Sequence, residues 1–143
     1  MTQSSSHDTP AGRTLAEHRA LHALLDEIEQ ASADATAVDA LPARLDTLHE
    51  RLAAHFDFEE KSGLFEQIKE LAPEQAHECA KLCDEHLGLL EKVDELRKAD
   101  AATRADPGWG ARVRAILEDL ARHESRENEL LTLVLDGSME AQD

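Results

Sequence analysis

The sequence predicts an all-α protein, an antiparallel up-down-up-down four-helix bundle with a disordered N-terminal tail. Apolar residues recur at steps of three and four, the spacing of a helix with one buried stripe. Residues that favour strands are scarce, with no Tyr, three Phe and one Trp. The connectors between the periodic segments are short, which makes consecutive helices antiparallel neighbours.

Four amphipathic segments account for most of the chain. The remaining ends are polar or short, and we expect them to form tails outside a single domain at 13–137. No internal sequence repeat is convincing. The segments are expected at about 13–33, 42–71, 74–102 and 107 to just before Gly137, with tails at 1–12 and 138–143.

Two positions bear on where the second helix begins and ends. Pro42 suits a first helical turn, because its missing N–H would have no partner there in any case. Ser62–Gly63 follows a charged cluster, and a glycine in a helix interior weakens it. We therefore expect a kink or an early helix end at Ser62–Gly63.

The composition limits the function. The formal net charge is −16, so the surface repels phosphate backbones and anionic membranes, and we expect neither nucleic acid nor a membrane as partner. No apolar run approaches the roughly 18 residues of a membrane span. Cys79 and Cys83 stand four apart on one helix, which is no disulfide framework. A cytoplasmic protein is the expectation.

Six polar residues occupy positions on the buried faces of the predicted helices, where apolar residues are expected. Buried without partners, each would cost several kcal/mol. Counting along the predicted helices at about 1.5 Å per residue places them in one layer of the bundle. They are His18, His55, Glu59, His86, His123 and Glu127.

Two of the pairs share one spacing, His55-x-x-x-Glu59 and His123-x-x-x-Glu127, which puts both side chains on one helix face. Imidazoles with carboxylates suit first-row metals, iron above all, with manganese and zinc as alternatives. Two Glu can bridge two metals, and six ligands suit two metals better than one. A satisfied polar network without metal is the alternative.

At these residues the sequence resembles the hemerythrin-like, or HHE cation-binding, family over about residues 13–135. The resemblance implies a di-iron centre with oxo or hydroxo and Glu bridges, held by the six residues above. It also implies O₂ carriage or sensing, NO binding, iron-cluster repair or iron sensing. The matching stretches are Glu17-His18-Arg19-Ala20-Leu21-His22, His55-Phe56-Asp57-Phe58-Glu59-Glu60, Glu85-His86-Leu87 and His123-Glu124-Ser125-Arg126-Glu127-Asn128.

Two positions differ from the oxygen-carrying members. Those proteins have a histidine four residues before the one that matches His86, where this chain has Leu82. They have an aspartate five residues after the last histidine, where this chain has Asn128, so Glu127 takes that role. The pattern is similar to a branch of the family with four His and two Glu.

Other polar residues are assigned surface or supporting roles. His22 is expected to flank the site rather than ligate, and Glu60 to be solvent-exposed. His49 and His77 are expected at the surface. Trp109 is expected to anchor the start of the fourth helix in the core.

The leading functional hypothesis is a protein that binds or senses a small diatomic ligand, O₂ or NO, at this site. The alternatives are a di-iron enzyme that reduces NO or peroxide or donates iron for cluster repair, and an iron-handling or regulatory module. The sequence separates these functions poorly, because no nicotinamide or flavin fingerprint is present and the chain names no electron donor for catalysis. We expect a metal-binding or sensing protein rather than an enzyme. The sequence indicates no particular protein partner.

Overall fold

The computed structural model describes residues 9–34 and 38–141, with side chains for 9–34 and 39–135. Within these ranges the chain forms α-helices and two short 3₁₀ turns and no β-strand, which confirms the all-α prediction. The 3₁₀ turns lie at Val38–Ala40 and Pro73–Gln75. The helices are α1 (Pro10–Ala33), α2 (Leu41–Lys61), α3 (Leu64–Leu71), α4 (Ala76–Arg97), α5 (Ala101–Ala105) and α6 (Pro107–Ala141).

Helix α1 begins three residues before the expected start at 13. Thr9 caps it, because its side chain accepts a hydrogen bond from the Gly12 amide at 3.0 Å. Pro10 then occupies the first turn, where it needs no donor. Part of the predicted tail is thus helical, and 1–8 lies outside the described residues.

The predicted second helix is divided where Ser62–Gly63 interrupts it. Gly63 has φ +83°, a left-handed conformation that glycine adopts without a side-chain clash. The Ser62 hydroxyl accepts a hydrogen bond from the Leu64 amide at 3.3 Å. Helix α2 therefore ends at Lys61 and α3 begins at Leu64, so the expected early helix end is confirmed.

The ends of the last two predicted helices need correction. Helix α4 ends at Arg97, short of 102, and Asp100 caps the separate helix α5 by accepting from the Thr103 amide at 2.8 Å. Helix α6 continues through Gly137 to Ala141. One glycine costs a helix about 1 kcal/mol, and that cost alone does not end it.

The four long helices contact one another in a ring: α1 touches α2 and α6, and α4 touches the same two. Two apolar clusters fill the interior. The larger cluster combines the later parts of α1 and α4 with the earlier parts of α2 and α6. The smaller cluster combines the starts of α1 and α4 with α3 and the later part of α6. Trp109 is buried in the larger cluster and donates its ring N–H to the Leu96 carbonyl at 3.3 Å, as expected of an anchor.

No helix of the described chain carries an apolar stretch of the length that a membrane span requires.

Candidate metal site

The six core polar residues predicted from the sequence lie together, and all are buried. Four helices contribute to the group. Helices α1 and α4 supply one histidine each, and α2 and α6 supply one His-x-x-x-Glu pair each. Steps of four keep both members of a pair on the inner face of their helix. The structure thus gathers His18, His55, Glu59, His86, His123 and Glu127 into one cluster.

The cluster divides into two groups that share one carboxylate. In each group, one ligand-type atom from every residue lies within 4.8 Å of all the others. Glu127 belongs to both groups, so each half of the cluster combines two imidazoles with carboxylate oxygen. The first group is His18, His55, Glu59 and Glu127, and the second is His86, His123 and Glu127.

The two oxygens of Glu127 face different pairs of histidines. Oε1 lies 3.0 Å from His18 Nε2 and 4.0 Å from His55 Nε2. Oε2 lies 3.1 Å from His123 Nε2 and 3.5 Å from His86 Nε2. This carboxylate therefore spans the two halves of the cluster.

Glu59 occupies a second position between the halves. Its Oε1 lies 3.0 Å from His55 Nε2 and 3.8 Å from His86 Nε2. The side chain is fully buried, yet neither oxygen makes a hydrogen bond to any described residue. A buried carboxyl without a hydrogen bond costs several kcal/mol unless a cation or a proton compensates it.

Three of the imidazoles are oriented by oxygen atoms behind them. His55 Nδ1 lies 2.7 Å from Glu17 Oε1, and His123 Nδ1 lies 2.9 Å from Glu85 Oε1. His18 Nδ1 lies 2.8 Å from Asn128 Oδ1. Because these oxygens accept hydrogen bonds, Nδ1 is the donor in each ring. The Nε2 lone pair of a neutral ring then points into the cluster, as in metal-binding histidines.

His86 is positioned mainly by stacking. The Phe56 ring lies parallel to it, with centroids 3.9 Å apart and planes 4° apart. Its Nδ1 lies 3.5 Å from Glu60 Oε2, beyond a good hydrogen bond. Both ring nitrogens of His86 are buried and lack a hydrogen-bond partner within the described chain.

The donor set fits a metal cation. His18 Nε2 and His55 Nε2 are 3.1 Å apart, and both rings use Nδ1 as donor. Two inward lone pairs beside carboxylate oxygens repel each other unless a cation or a proton lies among them. Imidazole nitrogen with carboxylate oxygen is a ligand combination that suits iron, manganese and zinc.

Without metal, protons take the place of the cation. Burial raises the pKa of Glu59 to about 9. Burial alone would lower the pKa of His55, but its contacts with Glu127, Glu59 and Glu17 raise it to about 11. Burial likewise opposes ionisation of Glu127, but hydrogen bonds from the surrounding imidazoles hold its pKa well below the usual range.

Four supporting residues were assigned no role from the sequence. Glu17 and Glu85 orient imidazoles from neighbouring helices, and Asn128 orients His18. Arg126 holds Glu85 at 2.8 and 3.0 Å and also binds Glu78 at 2.8 Å. A signal exists for the two carboxylates, since each directly precedes a core histidine and stands 38 residues before the imidazole that it contacts.

The site also shows an internal repeat that was not recognised from the sequence. His86, His123 and Glu127 follow His18, His55 and Glu59 by 68 positions each. The residues behind the imidazoles obey the same shift. Glu85 follows Glu17 by 68, and Asn128, beside His18 Nδ1, follows Glu60, beside His86 Nδ1, by 68. The cluster is thus built from two similar helix-pair units, α1 with α2 and α4 with α6.

The other histidines lie outside the cluster. The His22 side chain is 69% exposed and lies 3.6 Å from Asp26, so it flanks the site at the surface. His77 is exposed as expected, and His49 is half-buried, 3.9 Å from Asp94. Glu60 is 50% exposed, in agreement with the expectation for it.

The two cysteines are free, with Cys79 buried and Cys83 half-buried. Burial raises the pKa of the Cys79 thiol and takes that of Cys83 to about 11. Both therefore remain protonated at neutral pH, which makes them weak nucleophiles.

Comparison with known families agrees with this geometry. The hemerythrin HHE cation binding domain matches residues 9–134, a range that includes all six residues of the cluster. No curated protein and no solved structure gave a significant match. The chain belongs to the hemerythrin HHE cation-binding domain family.

Proposed function

We propose that this protein is a hemerythrin-like antiparallel four-helix bundle that holds two iron ions and binds or senses O₂ or NO at them. The six residues of the cluster are the proposed ligands. The observation that carries the proposal is the division into two ligand groups that share Glu127. The larger apolar cluster brings the later parts of α1 and α4 against the earlier parts of α2 and α6, and this packing supports the antiparallel order.

Each proposed metal position has two imidazoles. His18 and His55 would hold one ion and His86 and His123 the other, and Glu127 and Glu59, which lie between the two pairs, would be shared. The two carboxylates partly offset the charge of the metals. Two imidazoles and shared carboxylates would not fill an iron coordination sphere, so iron held here would supply binding of small molecules and electron exchange with them.

The space beside the cluster favours a very small ligand. A cavity of about 10 Å³ touches His55, His123 and Glu127, which is the scale of a single water molecule. Most of its other walls are apolar, formed by Leu21, Leu25, Leu52, Phe56 and Leu120. A diatomic molecule suits this space better than a larger substrate.

Metal and ligand stoichiometry tests the proposal directly. Anaerobic reconstitution with Fe(II) should reach two irons per chain, because the cluster offers two ligand groups. The reduced protein should then bind NO at both irons, as followed by optical and electron paramagnetic resonance spectra. An iron plateau at one or at none contradicts the two-metal site. Steady turnover of NO or peroxide with an added reductant would favour the enzyme alternative.

Metal uptake should release protons and tighten as pH rises from about 6 to 8. Metal ligation requires a neutral imidazole and an ionised carboxylate. With pKa values of about 11 for His55 and about 9 for Glu59, both groups are protonated in the metal-free protein at neutral pH. An indicator dye in weak buffer should report at least one proton released per chain when Fe(II) is added. Uptake without proton release, at an affinity independent of pH, contradicts this expectation.

A further inference from the structure

The two halves of the cluster do not hold their imidazoles equally. The first group brings four ligand-type atoms within 4.8 Å of one another, whereas the second brings three. His18 Nε2 lies 3.0 Å from Glu127 Oε1, while its counterpart His86 Nε2 lies 3.5 Å from Glu127 Oε2. Glu59 Oε1 likewise lies 3.0 Å from His55 Nε2 but 3.8 Å from His86 Nε2. The donor atoms are therefore gathered more closely on the His18 side.

The difference has a cause behind the imidazoles. His18 Nδ1 lies 2.8 Å from Asn128 Oδ1, on the neighbouring helix α6. The position that matches Asn128, 68 residues earlier on α2, is Glu60, whose Oε2 lies 3.5 Å from His86 Nδ1 and whose side chain is 50% exposed. Both nitrogens of His86 lack a hydrogen-bond partner in the described chain. Of these two rings, His18 is the one whose tautomer is fixed in advance, with Nε2 presented to a metal.

Charge also favours unequal filling of the two halves. The cluster has two buried carboxylates, Glu59 and Glu127, which together match the charge of one divalent cation once both are ionised. A second cation is repelled by the first, and its group adds two histidines but no further carboxylate. An ion in the more closely gathered group is therefore held more tightly than an ion in the other.

We propose that the two metal positions fill in order, the His18–His55 position first and the His86–His123 position second and about 10–100-fold more weakly. This inference rests on the proposed metal site. Asn128 is a positioning residue, because it acts through the imidazole of His18, and the His86 side has no equivalent. The second ion is the exchangeable one, so the metal pair that binds the small ligand forms only when divalent metal is plentiful.

Anaerobic titration of the metal-free protein with Co(II) tests the order. Co(II) accepts nitrogen and oxygen ligands as iron does, and its absorption spectrum follows each step. The wild type should bind two ions in two steps whose dissociation constants differ by at least about tenfold. His86→Ala should keep the tighter step, whereas His18→Ala, the matching change 68 positions earlier, should lose it. A single step of two ions overturns the proposal, as does the reverse pattern or an equal loss in the two variants.

Glu60→Asn is a sharper test, because it copies the arrangement behind His18. In the internal repeat α2 relates to α4 as α6 relates to α1, so an asparagine at 60 should accept a hydrogen bond from His86 Nδ1. The second step should tighten about three- to tenfold, the range of one hydrogen bond. Glu50→Asn, at an exposed position of the same helix, is the matched control and should change neither step. A second step that Glu60→Asn leaves unchanged or weakens overturns the proposal.

The opposite change removes the support behind His18. Asn128→Ala should weaken the first step by about tenfold or more, because the ring then has no acceptor at Nδ1. Circular dichroism of each metal-free variant checks that it folds, so that a lost step reports ligation. A first step that Asn128→Ala leaves as tight as in the wild type would show that the orientation of His18 does not set the order, and would overturn the proposal.

Iron removal from the loaded wild type gives a measurement that needs no variant. A chelator should take one iron per chain readily and the other only at a higher chelator concentration. Loss of both irons in one step overturns the difference between the positions. A wild type that binds neither Co(II) nor iron contradicts the metal centre itself, whereas two ions held equally contradict only the order of filling.

Discussion

Removal of the bound metal should lower the melting temperature of this protein by more than about 10 °C. A metal held at about 1,000 times its dissociation constant stabilises the folded state by about 4 kcal/mol. For a domain of this size each kcal/mol corresponds to several degrees. The loss is large here because the metal-free cluster leaves both Glu59 oxygens and both His86 nitrogens buried without hydrogen bonds to the described residues.

Melting curves by circular dichroism, with and without an iron chelator, provide the measurement. The control is a variant that cannot hold the metal pair, for which the chelator should have no effect. If the wild type melts at the same temperature in both conditions, the cluster is a polar network that is satisfied by protons alone.

Glu59→Met should abolish the metal pair and at the same time stabilise the metal-free protein by about 1–3 kcal/mol. Methionine has nearly the length and volume of glutamate, but it lacks the carboxyl group whose removal from water costs free energy. Glu59 is fully buried, and burial raises its pKa to about 9, so the metal-free protein keeps in its core a carboxylic acid without a hydrogen bond to the described residues. Replacement of a buried ionisable group by an apolar one of similar volume is often stabilising.

Iron analysis and denaturant unfolding in the presence of chelator check both halves of this expectation. Glu50→Met is the matched control, because Glu50 is exposed on the same helix and should leave iron content unchanged. His49→Ala should also retain two irons, since His49 lies outside the cluster. Full iron loading in Glu59→Met, or a metal-free variant less stable than the wild type, would show that Glu59 has a structural role instead.

The helices and the polar layer follow from local pattern. Apolar residues at steps of three and four identify the inner face of each helix. A histidine or glutamate that takes one of these positions must then be buried as well. Counting residues at a fixed rise brought His18, His55, His86 and His123 to one level, because the rise per residue is the same in every α-helix.

Helix ends were less predictable. The start of α1 depends on the Thr9 cap, and the break after Arg97 depends on Asp100 as the cap of α5. Such ends are decided by one or two hydrogen bonds that periodicity does not encode. The interruption at Gly63 was predictable, because glycine alone takes a left-handed φ at little cost.

The sequence by itself determined that six polar residues share the core of a helical protein of the hemerythrin type. Only the tertiary structure decided how they divide, with one oxygen of Glu127 facing His18 and the other facing His123. It also decided that Glu17 and Glu85 orient imidazoles of other helices and that the Thr14 hydroxyl pairs with none of the described residues. Helical periodicity specifies the face on which a side chain lies, whereas its rotamer and its partner depend on how neighbouring helices pack.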